Sequence, residues 1–321
     1  MVWNVYCSRP YRVAFALAGG WLAWNVPNTA LDLGLLLDID GPIASPVSRS
    51  IAIASILDDI VALTASGVPI AFITGRSDAF VREVVIAPLI AAGLGAALAQ
   101  PGARMFTVFE KGATWATVAP DGLGPLQLDK SVQVPQAMVD AVRELHGAGF
   151  TDTMFWDDTK HAMISIEART DVTPADYRSA QLRFDEAAFA ALAALGYGIR
   201  LGERESADTT GAVPYRIDPT IISTDIESVL LDKDRGAQRA LEYFAESGPL
   251  PRVWRSVGDS RSDYKMADYV HSLGLEVAHV DVRPLDGVPE RPYRVITEGD
   301  MVHDEAGAAF LAFWAAQLGK H

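Results

Sequence analysis

The stretch Leu33-Gly34-Leu35-Leu36-Leu37-Asp38-Ile39-Asp40-Gly41-Pro42 is apolar from Leu33 to Ile39 apart from Asp38, and it ends in an Asp-Gly-Pro turn signal. A strand without alternation is apolar on both faces, which suits a buried strand of a parallel sheet. Working outward, Ser48 to Ala65 has helical spacing and is stopped by Gly67. Val68 to Ile73 is a second buried strand, ending in Thr74-Gly75-Arg76, and Asp78 to Leu94 reads as one or two helices interrupted at Pro88. Near the other end of the chain the same alternation returns. A helix over Asp234 to Ala245 precedes a strand over Val253 to Val257 that ends in Gly258-Asp259. Further strands follow over Leu275 to Val282 and Tyr293 to Ile296, then a closing helix over Asp304 to Leu318.

The middle of the chain reads differently. Arg104 to Val108, Thr114 to Val118, Ala162 to Glu167, Ile199 to Glu203 and Tyr215 to Thr224 resemble strands, several with half-polar faces. Pro135 to His146 and Asp176 to Leu195 are helical. This is an α+β pattern with antiparallel character. The expected organisation is an N-terminal extension over 1–30, an α/β core with a parallel sheet built from 31–84 and 230–321, and an inserted α+β domain over 85–229.

Open parallel sheets place their chemistry beyond the carboxyl ends of the strands. Those ends hold Asp38 and Asp40, Thr74-Gly75-Arg76, and Gly258-Asp259-Ser260-Arg261-Ser262-Asp263, while Lys233 stands just before a helix. Crowded carboxylates repel one another and call for a cation. Oxygen donors without His or Cys suit Mg²⁺ rather than Zn²⁺.

These residues carry a family resemblance. Asp38-Ile39-Asp40-Gly41 after an apolar strand, Phe72-Ile73-Thr74-Gly75-Arg76, Lys233 ahead of Gly236-Ala237, and Gly258-Asp259 with Asp263 resemble, in order, the four motifs of the haloacid dehalogenase-like phosphohydrolases. The resemblance implies a Rossmann-like core. The long insert between Thr74 and Lys233 stands where that superfamily has its class-two cap, as in the sucrose-phosphate, trehalose-phosphate and mannosyl-phosphoglycerate phosphatases and Cof-like proteins. It also implies Asp38 as nucleophile and Asp40 as general acid, then base. Asp38, the Asp40 carbonyl, Asp259 and Asp263 (directly or through water) would hold Mg²⁺, and Thr74, Gly75 and Lys233 would hold phosphate. Arg76 is either a substrate contact or the partner of a carboxylate. Two departures stand out: Pro42 replaces the usual Thr after Asp-x-Asp-Gly, with an expected loss of local order, and Asp234-Arg235 separate Lys233 from its glycine.

The expected function is Mg²⁺-dependent hydrolysis of a small phosphorylated metabolite, a sugar phosphate first among them. A phosphomutase or a non-catalytic binding protein on the same fold are the alternatives. A mutase needs a second phosphate site, and the basic residues of the insert are scattered. Lys160, Arg169, Arg200, Glu203 and Arg216 are the candidate specificity contacts, whereas His161, His271, His279 and His303 lack metal-ligand spacing.

Composition narrows the partners. Among 321 residues the net charge is −14, which argues against nucleic acid and against an anionic membrane surface. A single cysteine, Cys7, excludes an intrachain disulfide or a Cys-cluster metal site and fits a cytoplasmic location. Arg9 and Arg12 before the apolar run Val13 to Trp24 resemble a signal peptide, but the run is short for a membrane span and lacks a good cleavage site. No site motif lies before Leu31, so the first 28 residues are expected to be dispensable for chemistry.

Overall fold

The computed structural model describes residues 32–318, and the expected extension over 1–30 lies outside them. In chain order, β1 (Leu33–Leu37), α1 (Ala54–Ala65) and β2 (Ile70–Ile73) are followed by α2 (Asp78–Val81), which runs through a π-helical turn into α3 (Ala87–Ala91), and then by α4 (Leu94–Leu98). Next come β3 (Met105–Phe109), β4 (Thr114–Ala119), and the short β5 (Gly122–Leu123) and β6 (Gln127–Leu128). After α5 (Gln136–Gly149) come β7 (Met154–Trp156), β8 (Ile164–Ala168), α6 (Pro174–Ala194), β9 (Ile199–Leu201), β10 (Arg204–Ser206), β11 (Tyr215–Pro219) and β12 (Ser223–Ser228). The chain closes with α7 (Lys233–Ser247), β13 (Val253–Gly258), α8 (Tyr264–Ser272), β14 (Glu276–Asp281), β15 (Arg294–Ile296) and α9 (His303–Leu318).

The described residues divide into two units, 32–127 with 232–318, and 128–231. In the first, the sheet order is β15-β14-β13-β1-β2-β3-β4-β5, parallel from β15 to β3 and antiparallel beyond. All five positions of β1 are buried, as its unbroken apolar run requires. One face packs Leu33, Leu35 and Leu37 against α1 and α9, through residues such as Ile60, Leu63 and Leu311. The other packs Leu36, Ile73 and Trp254 against α7 and α8, through Ala240, Phe244 and Met266. The arrangement is a doubly wound α/β sheet with helices on both faces. From β1 the chain goes to β2 on one side and later returns with β13 on the other, so the crevice beyond β1 is the topological switch point.

The expected insert boundary at 84/85 moves to 127/128. The run Met105–Phe109 pairs in parallel with β2, Ile70 opposite Met105 and Ile73 opposite Val108, and is buried throughout. Its antiparallel neighbour β4 gave that stretch the look of the insert, although both extend the main sheet. Three local readings also change. The helix expected from Ser48 begins at Ala54, because Ile53 is extended at its N-cap. The strand expected over Tyr215–Thr224 is a hairpin of β11 and β12, whose turn is held by the Thr220 side chain accepting from the Ile222 and Ser223 N–H groups. The helix α8 and the strand β7 were not anticipated.

The second unit is a six-stranded sheet in the order β10-β9-β11-β12-β8-β7. Ile164, Ile166, Ile217 and Ile226 point to one face, where they pack with Met138 and Val142 of α5 and Phe184 and Leu192 of α6. Side chains alternate along a strand, so Ser165, Glu167, Arg216, Asp225 and Glu227 occupy the other face. Among the described residues no helix is long and apolar enough to cross a membrane.

Candidate active site

The rim beyond β1, β2 and β13 gathers the expected residues within the first unit. Asp38 follows β1 and is fastened by its N–H to the Val257 carbonyl of β13 at 2.9 Å. Lys233 opens α7 and is buried, with Asp232 as its N-cap. Its ammonium lies 2.6 Å from Asp38 Oδ1, 2.8 Å from Asp263 Oδ1 and 2.7 Å from the Ile73 carbonyl. The two residues inserted after Lys233 leave this reach intact, because Gly236 sits directly on Ile73 where a Cβ would overlap its side chain.

Asp263 is the structural anchor of the cluster. Its Oδ2 accepts from the Asp259 N–H at 3.1 Å, the Ser260 N–H at 2.9 Å and the Ser260 hydroxyl at 2.6 Å. Against the desolvation of full burial, the Lys233 ammonium and these donors hold its carboxyl below the ordinary range. Asp38 has one cation and fewer donors. Burial, with the Asp263 charge beside it, pushes its carboxyl well above the ordinary value, although Lys233 opposes the shift. Burial works against charge on Lys233 too, yet Asp263 and Asp38 raise its ammonium pKa above the usual one. The pair of carboxylates therefore shares one ammonium, and Asp38 is the less settled of the two.

Asp259 is held differently. Burial and the neighbouring Asp263 push its carboxyl up to about 6. Arg283 Nη1 and His303 Nδ1 each lie 3.6 Å from its Oδ2. Gly41, with φ of +98°, brings the Asp40–Gly41 backbone against this carboxylate, and a Cβ there would lie 2.8 Å from its carboxyl carbon. Carboxylate oxygens of Asp38, Asp259 and Asp263 lie within 4.8 Å of one another. Three hard oxygen donors at this spacing, carrying more negative charge than Lys233 and Arg283 together offset, fit a hard divalent cation.

Asp40 stands apart from that trio. Its carboxylate is clasped by Arg76, with Nη2 to Oδ1 at 2.9 Å and Nε to Oδ2 at 3.0 Å. The turn that carries it is held without the usual threonine hydroxyl: Gly41 N–H reaches the Ala44 carbonyl at 3.0 Å, and Ala44 N–H the Ile39 carbonyl at 2.8 Å. The carbonyl of Pro42 rests on Gly307 of α9, where no side chain would fit. The expected loss of order at Pro42 is thus offset by main-chain bonds and helix packing. Thr74 is buried, and its Oγ1 accepts the Arg76 N–H at 3.0 Å.

No protein-family model matches the chain, and no curated protein sequence does. Solved structures do resemble it. A Candida albicans trehalose-6-phosphate phosphatase C-terminal domain superposes with a TM-score of 0.60 at 11% identity, covering 89% of this chain and 93% of that one. A haloacid dehalogenase-like hydrolase from Bacteroides thetaiotaomicron gives 0.52 at 10% identity, over 87% and 98% of the two chains. A Plasmodium falciparum IMP-nucleotidase gives 0.51 at 11%, over 89% of this chain and 62% of that one. The chain has the haloacid dehalogenase-like fold.

Within that haloacid dehalogenase-like core, three residues near the rim had no signal in the sequence. Arg283 and His303 reach Asp259 from the loop after β14 and from the start of α9, where His303 adopts a φ of +52°. Lys111 belongs to a left-handed run, Glu110, Lys111 and Gly112, and its side chain lies over Gly75. Consecutive non-glycine residues in this region are strained, and such strain collects at functional sites. The expected basic specificity contacts face carboxylates within the second unit. Arg216 binds Glu227 at 2.7 Å, Arg169 binds Asp171 at 2.8 Å, and Lys160 lies 3.9 Å from Asp157. Arg200 stands opposite Glu205 in the sheet register, and Glu203 is exposed at the β9–β10 turn.

Proposed function

We propose that this chain is a Mg²⁺-dependent phosphomonoester hydrolase that works through an aspartyl-phosphate on Asp38, with a small sugar phosphate as substrate. The observation that carries the reading is the buried Lys233 ammonium shared by Asp38 and Asp263, with Asp259 completing a carboxylate trio at the switch point.

Asp38 attacks phosphorus and forms an acyl phosphate, which divides one hard displacement into two easier ones. Asp40 gives a proton to the departing alkoxide and then takes one from the water that hydrolyses the acyl phosphate, so that each turnover returns both carboxyls to their starting state. Lys233 lowers the repulsion between Asp38 and the anionic ester, in a site dry enough for that charge to count. Thr74 and the Gly75 N–H orient the phosphoryl oxygens. Asp38, Asp259, Asp263 and the Asp40 carbonyl are the groups that would hold Mg²⁺. When bound it would supply Lewis-acid polarisation of the phosphoryl group and counter-charge to the transition state.

Two of the similar structures are named for trehalose-6-phosphate and IMP, so sugar phosphate and nucleotide esters are the first classes to screen. Hydrolysis is favoured over a mutase because Arg143, Arg169, Arg204 and Arg216 of the second unit are paired with Asp158, Asp171, Glu186 and Glu227 rather than grouped as a second phosphate site. The test is p-nitrophenyl phosphate turnover with and without Mg²⁺, followed by a panel of phosphorylated metabolites with inorganic phosphate measured. Phosphate release that equals substrate loss and is abolished by EDTA supports the reading. EDTA-resistant turnover, or an isomeric ester without free phosphate, overturns it.

A further inference from the structure

The Arg76–Asp40 ion pair holds a proposed catalytic group away from the metal trio. Both oxygens of Asp40 accept from the guanidinium, Oδ1 from Nη2 at 2.9 Å and Nε at 3.3 Å, and Oδ2 from Nε at 3.0 Å. In this position neither oxygen is left to present a proton to a leaving group. The pair is unequally anchored. The Arg76 main chain is pinned at both ends, its N–H to Thr74 Oγ1 and its carbonyl to the Glu110 N–H at 3.1 Å. Its guanidinium lies over the Phe80 ring at 4.7 Å, and its side chain is only 12% exposed. The Asp40 side chain is 39% exposed and stands directly before the Gly41 turn. Of the two, Asp40 is the partner free to leave.

Arg76 is also part of the Thr74-Gly75-Arg76 turn, where a phosphate would sit. A planar guanidinium fork fits two phosphate oxygens as well as it fits a carboxylate. The Asp40 charge is felt at Asp38 and at Asp259, where it opposes ionisation. Arg76 is the group that balances it.

We propose that Arg76 is a positioning residue that exchanges counter-ions: it holds Asp40 retracted as a carboxylate until a phosphate group takes its place on the guanidinium, and the released Asp40 takes up a proton from solvent and swings to the leaving oxygen. This inference rests on the hydrolase reading for its purpose, because it ties delivery of the acid to arrival of the phosphate. The exchange itself is an equilibrium between two anions for one cation and requires no bond to form or break.

The experiment is a double-mutant cycle read by calorimetric titration of the full chain with inorganic phosphate in Mg²⁺. If Asp40 and phosphate compete for Arg76, Asp40→Asn tightens phosphate binding and Arg76→Ala weakens it. The gain from Asp40→Asn is then reduced by roughly fivefold or more when Arg76 is already absent. Arg76→Lys, which keeps the charge but loses the fork, falls between. Equal tightening by Asp40→Asn in both backgrounds reduces the effect to general charge repulsion and overturns the exchange, as does failure of the wild-type chain to bind phosphate. Circular dichroism of each variant excludes misfolding, and Arg76→Gln replaces Arg76→Ala if the latter does not fold. The two readings fail separately. A non-additive cycle in a chain that turns over no phosphate ester supports the exchange and removes the hydrolase reading. An additive cycle in an active enzyme does the reverse.

Discussion

In the mainly parallel sheet of the first unit, β1 is apolar on both faces and Asp38, Asp259 and Asp263 collect beyond the ends of β1 and β13. In the mixed, mostly antiparallel sheet of the second unit charged groups lie along the strands themselves. There the register supplies partners directly: Arg216 stands opposite Glu227 and binds it, and Asp225 stands opposite Ser165 and accepts its hydroxyl at 2.7 Å. Beyond β1 no neighbouring strand provides a matching partner. Asp38, Asp259 and Asp263 converge with one ammonium among them, and the carboxyls of Asp38 and Asp259 are raised. One sheet neutralises its charges pair by pair, while the other concentrates an imbalance at a single point, the condition for binding a cation and a reacting anion.

If the imbalance serves chemistry, the sharpest break comes at Asp38. Asp38→Asn should lower p-nitrophenyl phosphate turnover by about a thousandfold or more, with no drop in the thermal unfolding midpoint, because it removes a carboxylate whose ionisation burial already opposes. Steady-state kinetics and a melting curve on the same preparation check both halves.

Lys233→Met should do the opposite to stability. It leaves Asp38 and Asp263 buried without their cation, at a cost of about 3–5 kcal/mol by urea unfolding. A loss below about 1 kcal/mol would mean that the ammonium does not carry the cluster.

The raised carboxyl of Asp259 gives a pH test. A metal must displace the proton, so Mg²⁺ affinity should fall by about tenfold or more per pH unit below about 6, as measured by titration calorimetry. Without metal the sign reverses. The folded-state pKa of Asp259 exceeds its unfolded value, so its contribution to stability is present below that unfolded value and is lost as pH rises through about 6.

The smallest effects belong to the second unit. Arg216→Met breaks a register pair whose glutamate is fully buried and should cost about 2 kcal/mol. Arg169→Ala breaks an exposed pair and should leave the unfolding midpoint unchanged. If Arg216→Met proves as harmless as Arg169→Ala, the contrast between the two sheets loses its energetic basis.

The composition of each strand end was legible in the sequence because the pattern there is local. An apolar run selects a buried parallel strand, and the groups immediately after it must lie at the rim, so Asp38, Asp40, Thr74, Asp259 and Asp263 could be named in advance. Lys233 could be named by its place before a helix. The insert boundary could not be read, since β3 carries no mark of whether it joins β2 or another sheet; only the pairing of Ile70 with Met105 decides that. The partners were equally hidden. That Arg76 clasps Asp40 across 36 positions of sequence, that Lys233 divides itself between Asp38 and Asp263, and that Arg283 and His303 reach Asp259 are decided by the packing of several elements at once. Side-chain type follows from a residue's own strand or turn, but the choice of counter-ion depends on distances of a few ångströms between segments remote in the chain, which only the folded sheet and its helices set.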